Sequence, residues 1–343
     1  MYRLDRKLAR IRAGQYTRSD FIIADAKDGD MGPSITSCGP KREKDGSWSR
    51  HYTRSEFLEN IRAVVEQDIV DIMLTSASNM EALTKMGVYR DSAVKPAIRA
   101  NDTTDIWVCR GATYVKEASR PFRTASLARV MTGSIDPAPG APITGTDLGL
   151  YSITFNNDLD RDYEALEAFR AFREDAARNG FKYFLEVFNP NVACGIDPEV
   201  LPHYVNDVMM RCLAGVTRED RPQFLKIAFN GARAMEELAS YDPSVIVGVL
   251  GGGAGTTRDC FELLHQAERF GARVALFGRK INLAEDPLSI VRLLREVASG
   301  TVSPSEAVKA YHAGLAKEGI TPLRDLAADN VVTEAVLKPE ESR

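Results

Sequence analysis

The sequence predicts an α/β protein, a closed (β/α)8 barrel, from three observations. Eight short apolar runs alternate with helical patterns along the chain, which is typical of parallel strand–helix units. The last three runs are evenly spaced, with 25 residues from Leu225 to Leu250 and 27 from Leu250 to Phe277. No linker or shift in composition interrupts residues 20–295, which favours one domain. A doubly wound open sheet is the alternative.

The eight predicted strands are short runs of aliphatic, β-branched and aromatic residues bounded by polar or turn residues. They cover residues 21–24, 69–74, 97–100, 148–155, 183–188, 224–228, 245–250 and 274–277. A capping box, Thr53 with Glu56, predicts the start of a helix whose Phe57, Ile61 and Val64 share one face. Further helices are predicted over 163–178 and 201–213.

Both ends of the chain predict helices outside the barrel. Leu4, Leu8 and Ile11 have helical spacing and indicate a short amphipathic helix that caps the fold. Near the other end, a helix begins after Ser303 and continues to about Lys317, before a polar tail. We therefore divide the chain into an N-terminal extension (1–20), a barrel domain (21–300) and a C-terminal helix with its tail (301–343).

Two long insertions interrupt the predicted repeat. Residues 34–52 are rich in Ser, Gly, Lys and Arg, and residues 107–146 contain several glycines, arginines and prolines. In a barrel both segments follow strands on the face where catalytic residues gather. Long loops on that face usually serve the substrate, so we expect both insertions to border the active site.

Composition excludes several classes of protein. The 343 residues carry 44 Lys+Arg and 48 Asp+Glu, a formal net charge of −4, so no basic platform for nucleic acid is indicated. No apolar run approaches the ~18 residues of a membrane span. The five cysteines are scattered, and none forms a C-x-x-C pair, which favours reduced thiols. We expect a cytoplasmic homo-oligomer that acts on a small molecule.

Lys226 is the strongest catalytic candidate. It lies within the apolar run 223–229, at the sixth predicted strand. If its side chain faces inward, burial disfavours the charged ammonium and supplies the free amine that attacks a carbonyl carbon. The alternative is a lysine at the strand end whose ammonium reaches solvent.

Two glycine-rich turns indicate a phosphate site. Residues 251–255 follow the seventh strand and precede a helix, and Gly278, Arg279 and Lys280 follow the eighth strand. Glycine lets the backbone approach an anion, and a helix N-terminus offers unpaired N–H groups. A phosphate site after strands seven and eight recurs in this barrel, whereas a single glycine turn also serves close packing.

Carboxylates follow strands one and five. Asp25 lies at the end of the first predicted strand and is the preferred catalytic carboxylate. Asp28 and Asp30 stand in Asp-Gly and Gly-Pro surroundings, and we assign them to the turn. Glu186 on strand five is either an inward partner of Lys226 or a surface carboxylate, and alternation does not decide between them.

Metal and serine chemistry have little support in the sequence. The four histidines are widely separated and form no H-x-x-H or H-E-x-x-H pattern. The G-x-S-x-G turn that presents a nucleophilic serine is absent as well. We therefore predict neither a metal nor another cofactor.

These residues resemble Class I aldolases of the archaeal-type fructose-bisphosphate aldolase and deoxyribose-phosphate aldolase superfamily. Its Schiff-base lysine motif resembles segment 226–231 of this chain. Its two phosphate-binding motifs resemble segments 250–253 and 277–282, with Asp286 beyond, and its first-strand aspartate resembles Asp25 with Gly32-Pro33. The resemblance covers residues 20–290. It implies a TIM barrel and a lyase, with Lys226 forming an imine, Asp25 as a catalytic carboxylate, and a substrate phosphate held by Gly252, Gly253, Gly278 and Arg279.

One departure concerns the proton donor. The archaeal-type aldolases carry a tyrosine on strand five, where this chain has Val187-Phe188-Asn189-Pro190. Glu186 or Tyr151 could take over the proton transfer. The resemblance implies cleavage or formation of a C–C bond in a phosphorylated keto sugar. Thiolase-like acyl transfer on the same barrel and a non-catalytic sugar-phosphate-binding paralogue are the alternatives.

Overall fold

The computed structural model describes residues 1–251 and 255–338 and contains a closed barrel of eight strands. Each strand pairs in parallel with the next along the chain, and the last pairs with the first. The predicted (β/α)8 barrel is therefore confirmed. We number its strands β1 to β8: Ile22–Lys27, Ile72–Thr75, Lys95–Arg99, Leu148–Thr154, Lys182–Phe188, Leu225–Ile227, Val247–Leu250 and Val274–Phe277.

All eight predicted strands overlap the observed ones, with shifted ends. The first strand continues to Lys27 rather than ending at residue 24, before Asp25, and the second begins at Ile72 rather than at residue 69. Side chains alternate between the two faces of a strand, so the extension of β1 decides where its carboxylates point.

The described part of the chain contains twelve α-helices. The predicted capping box begins α2, where Glu56 accepts the Thr53 N–H at 2.9 Å. None of the helices in this part has the length and hydropathy of a membrane span. In chain order, α1 to α12 are Arg3–Arg12, Arg54–Glu66, Ala77–Lys85, Leu127–Thr132, Leu159–Asn179, Leu201–Leu213, Ala232–Tyr241, Thr257–Arg269, Arg279–Asn282, Pro287–Ser299, Pro304–Glu318 and Leu326–Asp329.

Two apolar layers separate the inside of the barrel from its helical coat. Ala24 and the stacked rings of Phe184 and Phe224, 4.6 Å between centroids, belong to the inner layer. Ile23 and Leu185 belong to the outer layer and pack against the helices. Successive side chains along a strand point to opposite faces, so these residues show whether a polar side chain on the same strand points into the barrel or toward the helices.

Helix α1 closes one end of the barrel, as the predicted amphipathic helix requires. Leu4 and Leu8 are buried against the inner apolar layer. The Lys7 ammonium donates to the backbone oxygen of Phe21 and to the buried Asp71 carboxylate, both at 2.9 Å. The amino ends of the strands are thereby covered, and a ligand reaches the interior from their carboxyl ends.

The first insertion, the start of the second and the C-terminal segment lie around the open end, whereas the end of the second insertion, with Ile143 and Gly145, lies beside α1 at the other end. The first insertion contains a two-stranded ribbon, Pro40–Arg42 with Trp48–His51. In the loop after β3, the Trp107 ring stacks on that of Phe122 with centroids 5.0 Å apart. The C-terminal segment crosses the start of α8, where the Thr256 hydroxyl donates to the Val331 carbonyl at 2.7 Å.

Candidate active site

A cavity of about 510 Å³ opens at the carboxyl ends of the strands. Polar groups from several different strands face it, and apolar side chains form much of its wall, as is usual for small-molecule sites. The polar residues at its floor are Asp28, Arg99, Glu186 and Lys226, and the apolar ones around it include Phe57, Ile106, Val108, Phe188, Leu250 and Leu276.

The structure places Lys226 at the floor of this cavity. Its residue is 6% exposed, on β6, in register with Glu186 on β5 and with Gly248 on β7. The ammonium lies 2.5 Å from the nearer carboxylate oxygen of Glu186. A Cβ at Gly248 would lie 2.7 Å from the Leu225 carbonyl oxygen, so glycine there permits the close approach of β7 to the lysine strand.

Glu186 faces the same cavity. Of the two alternatives that the sequence left open, it is therefore the inward partner of Lys226 and not a surface carboxylate. It shares its face with Phe184 of the inner layer. One carboxylate oxygen contacts Lys226, and the other accepts hydrogen bonds from the Ser152 hydroxyl at 2.6 Å and from Arg99 at 3.1 Å. Two donors thus fix the carboxylate while its other oxygen faces the amine.

Arg99 joins the two carboxylates of the site. Its guanidinium donates to Asp28 at 2.6 Å, to Ser152 at 2.7 Å and to Glu186 at 3.1 Å. Burial alone would lower the pKa of Arg99, but the two carboxylates outweigh it and raise that pKa. The site therefore contains two cations and two carboxylates within one hydrogen-bonded network.

Asp28 is held in its charged form by its neighbours. Burial disfavours the carboxylate, but Arg99 and Lys226 reverse this effect and lower the pKa of Asp28 below its ordinary value. Its direction follows from β1, because Ala24 packs in the inner layer and Asp28 lies two alternations further along the same face. The assignment of Asp28 to a turn alone was therefore incomplete.

Asn101 positions the serine of the network. Its side-chain oxygen accepts the Ser152 N–H at 2.7 Å, and its side-chain amide donates to the Ser152 carbonyl at 2.8 Å. This pairing continues the contact between β3 and β4 beyond the end of β3. Asn101 acts through Ser152 and is a positioning residue.

Asp25 is not brought into the cavity, and our expectation for it needs correction. It follows Ile23 on the outer face of β1, is fully buried, and has its carboxylate 3.1 Å from the Lys27 ammonium. Burial raises the pKa of Asp25, and Lys27 opposes that rise. The physical reason for the error is the strand end: β1 runs on to Lys27, so Asp25 is an interior strand position facing the helices.

Tyr151 also lies outside the cavity. It belongs to the outer face of β4, where its ring stacks on Phe172 with centroids 4.4 Å apart. Burial raises the pKa of its phenol. Of the two groups considered for proton transfer, the structure thus brings only Glu186 to Lys226.

The described residues of the two predicted phosphate turns lie at the rim. Gly278 and Arg279 border the cavity, together with Gly251, whereas Gly252 and Gly253 lie outside the described residues. A Cβ at Gly278 would lie 2.7 Å from the Ala26 carbonyl oxygen, so this glycine also serves the packing of β8 against β1. Arg279 begins the short helix α9 directly after it.

Two further aspartates have structural contacts. Asp286, which extends the resembling motif, caps α10 by accepting the Ser289 N–H at 3.2 Å. Asp30 accepts hydrogen bonds from the Ser76 hydroxyl at 2.5 Å and from the Asn79 amide at 3.1 Å, at the start of α3. Within residues 1–251 and 255–338, no three His, Cys, Asp or Glu side chains converge in a group that could hold a metal ion.

The comparisons with known proteins agree with this architecture. No family model and no curated protein matches the chain. A solved archaeal fructose 1,6-bisphosphate aldolase is similar at 16% identity over 87% of this chain and 99% of that chain, with a TM-score of 0.57. A Schiff-base-forming fructose-1,6-bisphosphate aldolase is similar at 15% identity over 86% and 99%, with a TM-score of 0.60.

A bacterial structure gives the same result. The fructose-bisphosphate aldolase from Slackia heliotrinireducens is similar at 12% identity over 91% of each chain, with a TM-score of 0.62. At such identities the likeness concerns the fold. The resemblance to archaeal-type Schiff-base aldolases, inferred above from a few motifs, is therefore confirmed at the level of the barrel, among solved enzymes of sugar-phosphate chemistry.

Proposed function

We propose that this protein is a metal-independent Class I aldolase that acts on a phosphorylated keto sugar through a lysine Schiff base. The observation that carries the proposal is the buried pair of Lys226 and Glu186, 2.5 Å apart at the floor of the cavity. Imine formation needs an amine in a partly dry site with a proton acceptor beside it. The pair supplies both groups, and the solved Schiff-base aldolases with this barrel support the assignment.

The chemistry begins with transfer of a proton from the Lys226 ammonium to Glu186. The free amine adds to the ketone carbon, and one of its own protons moves to the new oxygen to give the carbinolamine. Glu186 then returns its proton to that hydroxyl, which leaves as water and gives an iminium. A carboxylate takes the proton of the β-hydroxyl, the C–C bond breaks, its electron pair moves into the iminium to form an enamine, and the β-carbon leaves as the first carbonyl product. Protonation of that enamine and hydrolysis release the second carbonyl product and restore the lysine.

Asp28 is the second carboxylate of this scheme. Arg99 and Lys226 keep it charged, and it faces the cavity from β1, across from Glu186. We assign it the proton of the β-hydroxyl during C–C cleavage. Arg99 holds the two carboxylates apart and in place through hydrogen bonds of 2.6 and 3.1 Å, and it acts as a positioning residue.

The alternatives make different demands on the same site. Thiolase-like acyl transfer requires a thiol acceptor such as coenzyme A, and a sugar-phosphate-binding paralogue requires neither turnover nor an imine. A panel of phosphorylated ketoses separates these functions when a coupled assay monitors release of the aldehyde product. If the protein is an aldolase, the aldehyde is released without coenzyme A. Turnover only in the presence of coenzyme A would favour acyl transfer over the aldolase. Binding of the ketose phosphate without release of an aldehyde would favour the non-catalytic paralogue.

Chelation should leave the activity intact. Class I chemistry places the electron sink on the imine, so no bound cation is needed to polarise the ketone. We expect the initial rate after EDTA treatment and gel filtration to match that of the untreated enzyme. Loss of turnover on chelation, with recovery on adding Zn²⁺, would contradict the Class I assignment.

Replacement of Arg279 should weaken the binding of phosphorylated ligands specifically. We propose that Arg279 and Gly278, with Gly252 and Gly253, hold the substrate phosphate. A charge-assisted hydrogen bond contributes about 1.5–3 kcal/mol, so Arg279→Ala should raise the Kd of a ketose phosphate roughly 10- to 150-fold. Titration calorimetry with the matching unphosphorylated ketose is the control. An equal affinity of wild type and variant for the phosphorylated ligand would refute this role.

Compartment and assembly complete the proposal. All five cysteines are free thiols, which is typical of a reducing compartment, and we propose a cytoplasmic location. Assembly into a homo-oligomer stays a prediction. Light scattering of the purified chain measures it directly, and a mass of one chain would contradict it.

A further inference from the structure

A second cavity, of about 350 Å³, lies beside the active-site cavity and is lined by basic side chains. We call it the C-terminal cavity, because Leu323, Arg324 and Asp329 of the C-terminal segment form one of its walls. Helix α9 separates it from the active site, and Leu283 borders both cavities. Its four cationic residues are Arg42, Arg279, Lys280 and Arg324.

The two carboxylates of this cavity are already engaged by other groups. Glu285 accepts hydrogen bonds from the Tyr311 hydroxyl at 2.9 Å and from the Leu323 N–H at 2.6 Å. Asp329 accepts the Thr257 N–H at 2.8 Å and contacts His312 at 3.0 Å. In the part of the chain that the structure describes, neither carboxylate forms an ion pair with Arg42, Lys280 or Arg324.

Two of these cations, Arg42 and Lys280, are only partly compensated. The Nε of Arg42 is buried and has no hydrogen-bond partner among the described residues. Lys280 donates to the Gly255 carbonyl, and burial, opposed by Asp329 and reinforced by Arg324, lowers the pKa of its ammonium. A buried donor without an acceptor destabilises the fold, and an incoming anion would offset that cost.

The rest of the lining is apolar. Leu283, Ala284, Ile290 and Leu323 complete the wall beside the cations. A volume of about 350 Å³ falls within the range of small-molecule sites. The lining therefore fits a compact ligand that combines a doubly charged anion with a short apolar part.

We propose that the C-terminal cavity binds a small phosphomonoester, through Arg42, Lys280 and Arg324, at a site separate from the substrate site. The apolar wall then contacts the organic part of the ligand. The C-terminal cavity is also connected to the active site by a hydrogen bond. Asn282 on α9 donates at 2.8 Å to the carbonyl of Ser37, which borders the substrate cavity. Binding itself does not depend on the proposed aldolase activity.

Equilibrium dialysis with labelled inorganic phosphate tests this site. We expect two phosphates per wild-type chain, one of them lost in the double variant Arg42→Gln/Arg324→Gln, with the affinity of the remaining site unchanged. Arg170→Gln, an exposed arginine paired within α5, is the matched control and should bind like the wild type. Arg324 is exposed and Arg42 is partly buried, and circular dichroism verifies that the double variant folds.

The stoichiometry separates failure of this site from failure of the proposed function. A single wild-type phosphate that persists in the double variant would overturn the C-terminal cavity and leave the active-site phosphate standing. A single phosphate that disappears in the double variant would support this cavity and count against the substrate-phosphate site. Phenyl phosphate should compete at least tenfold better than inorganic phosphate, and equal competition would overturn the phosphomonoester assignment.

Discussion

Lys226→Met should lose turnover by about 10⁴-fold or more, the scale on which removal of a covalent nucleophile acts. A thioether cannot add to a carbonyl carbon to give an imine, so both cleavage and reductive trapping should disappear. The ammonium is buried against Glu186, and the variant leaves that carboxylate with Arg99 as its remaining neighbouring cation. The steady-state rate with a phosphorylated ketose and the thermal unfolding of the variant are measured together.

Two further variants make this result specific. Lys226→Arg keeps a positive charge beside Glu186 but cannot form an imine, because guanidinium stays protonated. It should fold, bind phosphorylated ligand and remain inactive. Lys182→Met, on the neighbouring strand but exposed, should behave like the wild type. Full activity in Lys226→Met would exclude the lysine as nucleophile.

Glu186→Gln should lower kcat by about 10²- to 10⁴-fold, which is the usual contribution of a positioned acid–base group. Glutamine keeps the shape and can still accept from Ser152 and Arg99, but it cannot carry the proton between the amine and the carbinolamine oxygen. Slow imine formation should persist, so the labelled adduct should still accumulate over longer times.

The split between kcat and KM distinguishes this role from a structural one. We expect Glu186→Gln to lower kcat while the KM for the ketose phosphate and the midpoint of thermal unfolding stay close to those of the wild type. Glu199→Gln, an exposed carboxylate, is the control. A variant with lowered stability but wild-type kcat would reduce Glu186 to a packing role.

The barrel could be predicted because its signal repeats. Each strand is buried on both faces and reads as a short apolar run, and the even spacing of the last three runs indicates parallel strand–helix units. Burial on both faces also prevented us from predicting which side chains point into the barrel. When both faces are apolar, alternation does not tell inside from outside, so Asp25 and Tyr151 could not be excluded and Glu186 could not be assigned.

The site was predictable where a charge interrupts an apolar run. Lys226 was found by that signal, and Arg99 carries it too, within the predicted third strand, where it was overlooked. Asp28 was missed because its Asp-Gly surroundings are also those of a turn, and because β1 extends three residues beyond the predicted end. Ser152 and Asn101 carry no signal, because only the register of β3, β4 and β5 brings them to Glu186.

Reductive trapping with mass spectrometry tests directly whether Lys226 forms an imine with a keto sugar phosphate. The protein is incubated with phosphorylated keto sugars and sodium borohydride, digested, and the modified peptide is sequenced. We expect one adduct, on Lys226, with the mass of the carbonyl donor as a secondary amine, and none in Lys226→Met. A trapped adduct on any other lysine, or turnover of a keto sugar phosphate without any adduct, would contradict the Schiff-base mechanism at Lys226.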